Sequence, residues 1–119
     1  MGLQSLQLCI DNLLMRGTDD WIDASEVAGI AFEVGGAKST DDVRLLALAV
    51  IRHVVQEGLV EVGDVTTDGF RRWSTSTNEC IERVEREWNA LGRNPRLSEI
   101  AWFQNTAAGD LRGQKPLRH

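Results

Sequence analysis

Residues 39–73, STDDVRLLALAVIRHVVQEGLVEVGDVTTDGFRRW, decide the fold. Ser39 carries the side-chain oxygen that a helix N-cap requires. Asp41 and Asp42 follow in the first turn, where the helix dipole favours negative charge. From Val43 through Ile51 every residue except Arg44 is apolar, so this helix is expected to be buried over most of its surface. Arg44 and Arg52 lie on one face that Gln56 continues, which leaves a narrow polar strip. Gly58 stops the helix after Glu57. Leu59-Val60-Glu61-Val62 then reads as a short strand, Gly63 to Gly69 as a seven-residue loop closing on Asp68-Gly69, and Phe70 to Trp73 as a second strand.

Upstream, Leu3, Leu6, Ile10 and Leu13 recur on one helical face with polar residues between them, and Gly17 ends that first helix. The link Asp19-Asp20-Trp21-Ile22 has room for no more than a single bridge of strand. Asp23 is placed to cap a second helix with Glu26 as its N3 partner. Val27, Ile30, Ala31 and Val34 supply the buried stripe before Gly35-Gly36. Downstream, Ser76-Thr77-Asn78-Glu79 is a capping box for a fourth helix whose inner face is Ile81, Val84, Trp88 and Leu91 and which Gly92 ends. Its outer face sets Glu79 against Arg83 and Glu82 against Arg86 at i, i+4. Asn94-Pro95 marks a turn, and Ile100-Ala101-Trp102-Phe103 is a short apolar run that fits either an extra strand or a segment pinned across the core.

These patterns predict an α+β fold: a mainly helical, winged-helix-like domain of about four helices with a small two- or three-stranded antiparallel sheet. The helix over 39–57 takes the recognition-helix slot and the hairpin after it takes the wing. One domain is expected over residues 1–104, with a flexible tail over 105–119 that contains Pro116.

Composition is that of an ordinary globular chain, 42% apolar and 26% charged, and no apolar run approaches the roughly 18 residues that span a bilayer. The start, Met1-Gly2-Leu3-Gln4-Ser5-Leu6, lacks the basic region and cleavage site of a signal peptide, so a cytoplasmic protein is expected. Cys9 and Cys80 each fall on the apolar side of a predicted helix with no neighbouring Cys or His, as expected of buried thiols rather than metal ligands. His53 and His119 are far apart in sequence, and no Ser-His-Asp, Cys-His, HExxH, P-loop or GxGxxG pattern is present. The expectation is a protein without catalysis, metal or cofactor.

Charge carries the functional signal. Residues 1–70 hold 12 acids and 4 bases, whereas residues 71–119 hold 6 acids and 9 bases. An acidic half repels phosphate backbones and attracts basic partners. Asp19, Asp20, Asp41 and Asp42, together with Trp21 as an aromatic anchor, are the candidate partner-binding residues. The alternative is DNA binding through Lys38, Arg44, Arg71 and Arg72. It is the poorer fit because the wing loop carries Asp64 and Asp68 and no base. Arg71-Arg72-Trp73 could grip a carboxylate or stack on a ring. A strand edge whose arginines pair with neighbouring acids while Trp73 covers the core accounts for it more simply. Of the four tryptophans, Trp88 is expected in the core, and Trp21 and Trp102 partly covered.

Asp19-Asp20-Trp21, Gly58-Leu59-Val60-Glu61-Val62-Gly63-Asp64, Asp68-Gly69-Phe70, Glu85-Arg86-Glu87-Trp88 and Trp102-Phe103-Gln104-Asn105-Thr106 resemble small uncharacterised proteins of actinobacterial type. That resemblance runs from about Leu13 to Gly109 and implies no activity or site residue. In size and acidity the chain also resembles the immunity proteins that accompany bacterial toxins. That likeness implies a protein partner, a cognate basic toxin domain such as a contact-dependent growth inhibition nuclease.

Overall fold

The computed structural model describes residues 2–114, so Pro116 and His119 lie outside the described residues. Helix α1 spans Leu3–Gly17 and buries Cys9, Ile10, Leu13 and Leu14. A two-residue strand, β1 (Ile22–Asp23), leads into α2 (Ala24–Glu33), whose N-cap Asp23 accepts from the Glu26 N–H at 3.1 Å. The expected return bond from Glu26 is replaced by an ion pair with Arg16 on α1, 3.4 Å away, which holds the two helices together.

Helix α3 (Thr40–Gln56) is capped by Ser39, whose side chain accepts from the Asp42 N–H at 3.0 Å. It buries Val43, Leu46, Ala47, Leu48, Val50, Ile51, Val54 and Val55. It packs against α1 and α2 and against α4 (Thr77–Leu91), so its nearly continuous apolar surface has helical neighbours on several sides. Leu45 is the exception, half-exposed on the outer face. The capping box of α4 is present: Ser76 accepts from Glu79 N–H and the Glu79 carboxylate accepts from Ser76 N–H. That engagement holds Glu79 below the usual carboxylate range and turns it away from the expected pairing with Arg83. Arg83 instead bonds Glu87 at 2.7 Å and lies 3.7 Å over the Trp73 ring, a cation–π contact.

The hairpin differs from its sequence reading. Strand β2 runs from Val60 to Thr66 and β3 from Gly69 to Arg72, so the expected seven-residue loop shrinks to Thr67-Asp68. Thr66 Oγ1 accepts from Asp68 N–H at 3.1 Å, and Gly69 takes a φ of 105° that a side chain would resist. Gly63 also belongs to the strand: a Cβ there would strike the Arg71 carbonyl on the paired strand. Trp73 is buried and its indole N–H donates to Asp64 at 3.1 Å, while Arg71 and Arg72 lie 3.8 and 3.7 Å from Asp68 and Glu61. The strand-edge reading of Arg71-Arg72-Trp73 is the one observed.

Strand β4 (Trp102–Asn105) makes the sheet four-stranded, in the order β1-β4-β2-β3 and antiparallel throughout. Phe103 is buried at its centre, opposite Ile22 on one side and Val62 on the other. The chain reaches β4 through a turn in which Ser98 and Ile100 hold φ values of 68° and 72°, unusual for residues with side chains. Asp23, 2% exposed, accepts from Ser98 N–H at 2.7 Å, and Glu99 takes Arg93 in a bidentate pair at 2.7 and 2.9 Å and the Arg96 N–H at 2.6 Å. These contacts hold the turn against its backbone strain and set the register of β4.

Where a tail from residue 105 is expected, Asn105 ends β4 and Ala107–Gly113 form helix α5, packed on α1. Thr106 caps α5 through Gly109 N–H and donates its hydroxyl to the Gly58 carbonyl at 2.7 Å. Gly109 and Gly113 permit the close approach, since a Cβ on either would strike the carbonyl of Leu59 or Leu14. The described residues therefore make an α+β fold of five helices and one four-stranded antiparallel sheet. No helix among them is long and apolar enough to cross a membrane.

Candidate functional site

A cleft of about 400 Å³ opens where the end of α1 meets β4 and α5. Its walls are Gly17 and Thr18, the Asp19-Asp20-Trp21 link, Gln104 and Asn105 of β4, and Asp110 of α5. Each wall is fixed by a local bond. Thr18 donates its hydroxyl to the Met15 carbonyl at 2.7 Å, and Asn105 donates its amide to the Leu14 carbonyl at 2.9 Å. Gly17 has no room for a side chain because Asn105 lies where its Cβ would go.

Trp21 is held from two directions. Its indole N–H donates to Gln104 Oε1 at 2.9 Å, and its ring stacks on Phe70 of the hairpin with centroids 6.5 Å apart and planes inclined by 30°. Asp20 accepts from the Trp21 backbone N–H at 2.8 Å, which turns that carboxylate toward its own neighbour. The ring is half-buried and rigid, and Asp19 and Asp20 beside it are exposed. Asp19, Asp20 and Asp110 form no ion pair among the described residues, whereas nearby Asp11 is taken by Arg112 at 3.3 Å. Unneutralised carboxylates around a fixed aromatic face suit an ammonium or guanidinium group supplied from outside. Neither a family model, nor a curated protein, nor a solved structure matches this chain. The reading of the site therefore stands on its geometry.

The fold brings Asp19, Asp20 and Trp21 into one cleft but does not bring Asp41 and Asp42 to it. Those two lie in the first turn of α3, and Asp41 lines a separate cleft with Arg44, to which it is paired at 3.5 Å. Asp110, Gln104 and Asn105 were not singled out in the sequence, since they lie in or beside the segment expected to fray. The available signal was Thr106 three residues before Gly109, an N-cap spacing that starts a helix and carries Asp110 in its first turn.

The four candidate DNA contacts are already engaged. Lys38 lies 5.4 Å over the Phe32 ring, Arg44 donates to Asn89 at 2.7 Å, and Arg71 and Arg72 face Asp68 and Glu61. Among the described residues no cluster of three His, Cys, Asp or Glu could hold a metal ion. Cys9 and Cys80 are buried and free, and burial pushes the Cys9 thiol above its ordinary value. Trp88 is buried in the core, and Trp102 is partly covered on β4.

Proposed function

We propose that this chain is a non-catalytic protein-binding domain of the immunity type, a cytoplasmic inhibitor that covers the basic site of a toxin domain such as a nuclease. The observation that carries the reading is the cleft in which Asp19, Asp20 and Asp110 surround the rigid Trp21 ring without a base of their own. Complementary charge would speed the encounter, and a partner's Lys or Arg seated against the indole would slow release. Asp41 and Asp42 act in this reading as a remote part of the acidic surface.

The proposed architecture is winged-helix-like at the level of element order. That order, α1-β1-α2-α3-β2-β3, supports the likeness, and the wedging of β4 between β1 and the hairpin departs from it. A DNA-reading role is the weaker alternative, because the turn of the hairpin is Thr67-Asp68 and each of its arginines faces an acid.

The test is affinity capture with the tagged chain from native lysate, with and without nuclease treatment, repeated with the Asp19→Lys/Asp20→Lys variant. The expected result is one basic polypeptide retained in both lysates and lost with the variant. Capture of DNA-associated proteins that disappears on nuclease treatment sinks the inhibitor reading in favour of DNA binding. A partner retained equally by the variant places the interface elsewhere.

A further inference from the structure

The second cleft, about 280 Å³, lies between the N-terminal turn of α3 and the C-terminal turn of α4, and shares no lining residue with the first. Thr40, Asp41, Arg44, Trp88, Asn89 and Arg93 are in its walls. Trp88 is 1% exposed, and its indole N–H has no acceptor among the described residues. That is unusual in this protein, where the indoles of Trp21 and Trp73 donate to Gln104 and Asp64. Native folds leave few buried donors unpaired, so an orphan beside a cleft marks a place where an acceptor belongs.

The other walls lack acceptors in the same way. Arg44 occupies the Asn89 amide oxygen at 2.7 Å, which leaves the amide NH₂ of Asn89 as a donor. Ser39 satisfies only the Asp42 N–H at the start of α3, so the first-turn N–H groups of Thr40 and Asp41 have no intrahelical partner. Arg93 is anchored by Glu99. The one lining carboxylate, Asp41, is 82% exposed and reaches Arg44 only at 3.5 Å.

We propose that this cleft binds a small carboxylate, with an oxygen accepting from the Trp88 indole N–H and the charge set against Arg44 at the positive end of α3. The volume lies just below the range of drug-sized pockets, which suits a group of few heavy atoms. Two sources share that chemistry: a free small carboxylic acid, or the terminal carboxylate of a peptide chain. Asp41 then acts as an internal competitor that the ligand displaces from Arg44.

The experiment follows the indole ¹⁵N–¹H resonances of the full chain, with the Trp88 signal identified by its loss in Trp88→Phe. Acetate, succinate and a short peptide with a free or an amidated C-terminus are titrated against chloride at matched ionic strength. The expected result is a saturable downfield movement of the Trp88 signal with the carboxylates, while the Trp21 and Trp73 signals stay in place. Arg44→Gln weakens the response roughly ten-fold or more, and Asp41→Asn strengthens it. Saturation at lower concentration by the free acids assigns a small metabolite, and saturation at lower concentration by the peptide with the free terminus assigns a chain end. A Trp88 signal that no carboxylate moves, or that moves equally in Arg44→Gln, shows a donor satisfied by water and overturns the proposal. Should Arg44→Gln fold poorly, the Asp41→Asn response decides, because a water-filled cleft gives no gain there.

Discussion

At Asp23 one buried carboxylate joins three parts of the chain. It caps α2 through Glu26 N–H, accepts the Ser25 hydroxyl at 2.9 Å, and holds Ser98 N–H at the strained turn before β4. Asp23→Ala removes an N-cap, a change of about 0.5–2 kcal/mol, and leaves the Ser98 donor unpaired, a further 1–3 kcal/mol or so. Urea denaturation should therefore show a loss of about 2–4 kcal/mol. A loss under about 1 kcal/mol would mean that water replaces the carboxylate and the turn is not held by it. The neighbouring Glu99 makes a prediction in pH. The Arg93 guanidinium, with the Arg96 N–H, lowers its carboxyl from an ordinary 4.5 to about 2. A group whose folded value is depressed contributes stability that is complete above its unfolded value and lost as pH falls through the folded one. The stability difference between the natural chain and Glu99→Gln should thus be constant above about 4.5 and vanish toward about pH 2. Thermal melts at closely spaced pH values check this, and parallel acid limbs for the two proteins would remove Glu99 from the account.

Among the elements, α5 carries the sharpest test because the sequence assigns its residues to a tail. Gly109 lies against the Leu59 carbonyl with no space for a Cβ. Gly109→Ala should cost about 1–3 kcal/mol by forcing α5 off the sheet and α1, where a flexible tail would show no loss. Ending the chain after Thr106 should cost at least as much, since it uncovers the α1 face on which α5 packs. Equilibrium unfolding of both variants decides it. The comparison also shows what the sequence made legible. α1 to α4 were readable to within a residue or two, because each combines a cap, an apolar period and a glycine stop at Gly17, Gly35, Gly58 or Gly92. β4 and α5 were not. A four-residue strand whose partners are far off in the chain has no local period to betray it, and the small residues of Ala107-Ala108-Gly109 bury backbone rather than side chains. The hairpin loop was misjudged for a related reason: Gly63 marks the close pairing with Arg71 and Arg72, not a break in the strand. The same blind spot hid half of the candidate site. Asp19, Asp20 and Trp21 stood out as charge and aromatic, whereas Gln104, Asn105 and Asp110 join them only through β4 and α5.

Over the whole molecule, the fold redistributes the charge asymmetry of the sequence. The basic second half neutralises part of the acidic first half: Arg112 takes Asp11, Arg71 and Arg72 take Asp68 and Glu61, and Glu85 answers Arg52. The net charge of −5 is therefore expressed where no such partner arrives, and Asp19, Asp20 and Asp110 share one such place. Long-range attraction acts on encounter rather than on the final contact, and salt screens it over about 8 Å at physiological ionic strength. Once a basic partner is in hand, Asp19→Lys/Asp20→Lys should slow its association roughly ten-fold at low salt. The thermal midpoint should hardly change, because both carboxylates are exposed and form no ion pair among the described residues. Asp42→Lys, in the first turn of α3 away from the cleft, should change association by no more than about two-fold. Raising the salt should narrow the gap between the natural chain and the double variant. Stopped-flow association at several salt concentrations measures all three rates. Equal slowing by Asp42→Lys would mean that total charge steers the partner and that the Asp19 cleft has no special place. A gap that salt leaves unchanged would mean that the two aspartates act by direct contact, and release rates would then have to carry the difference.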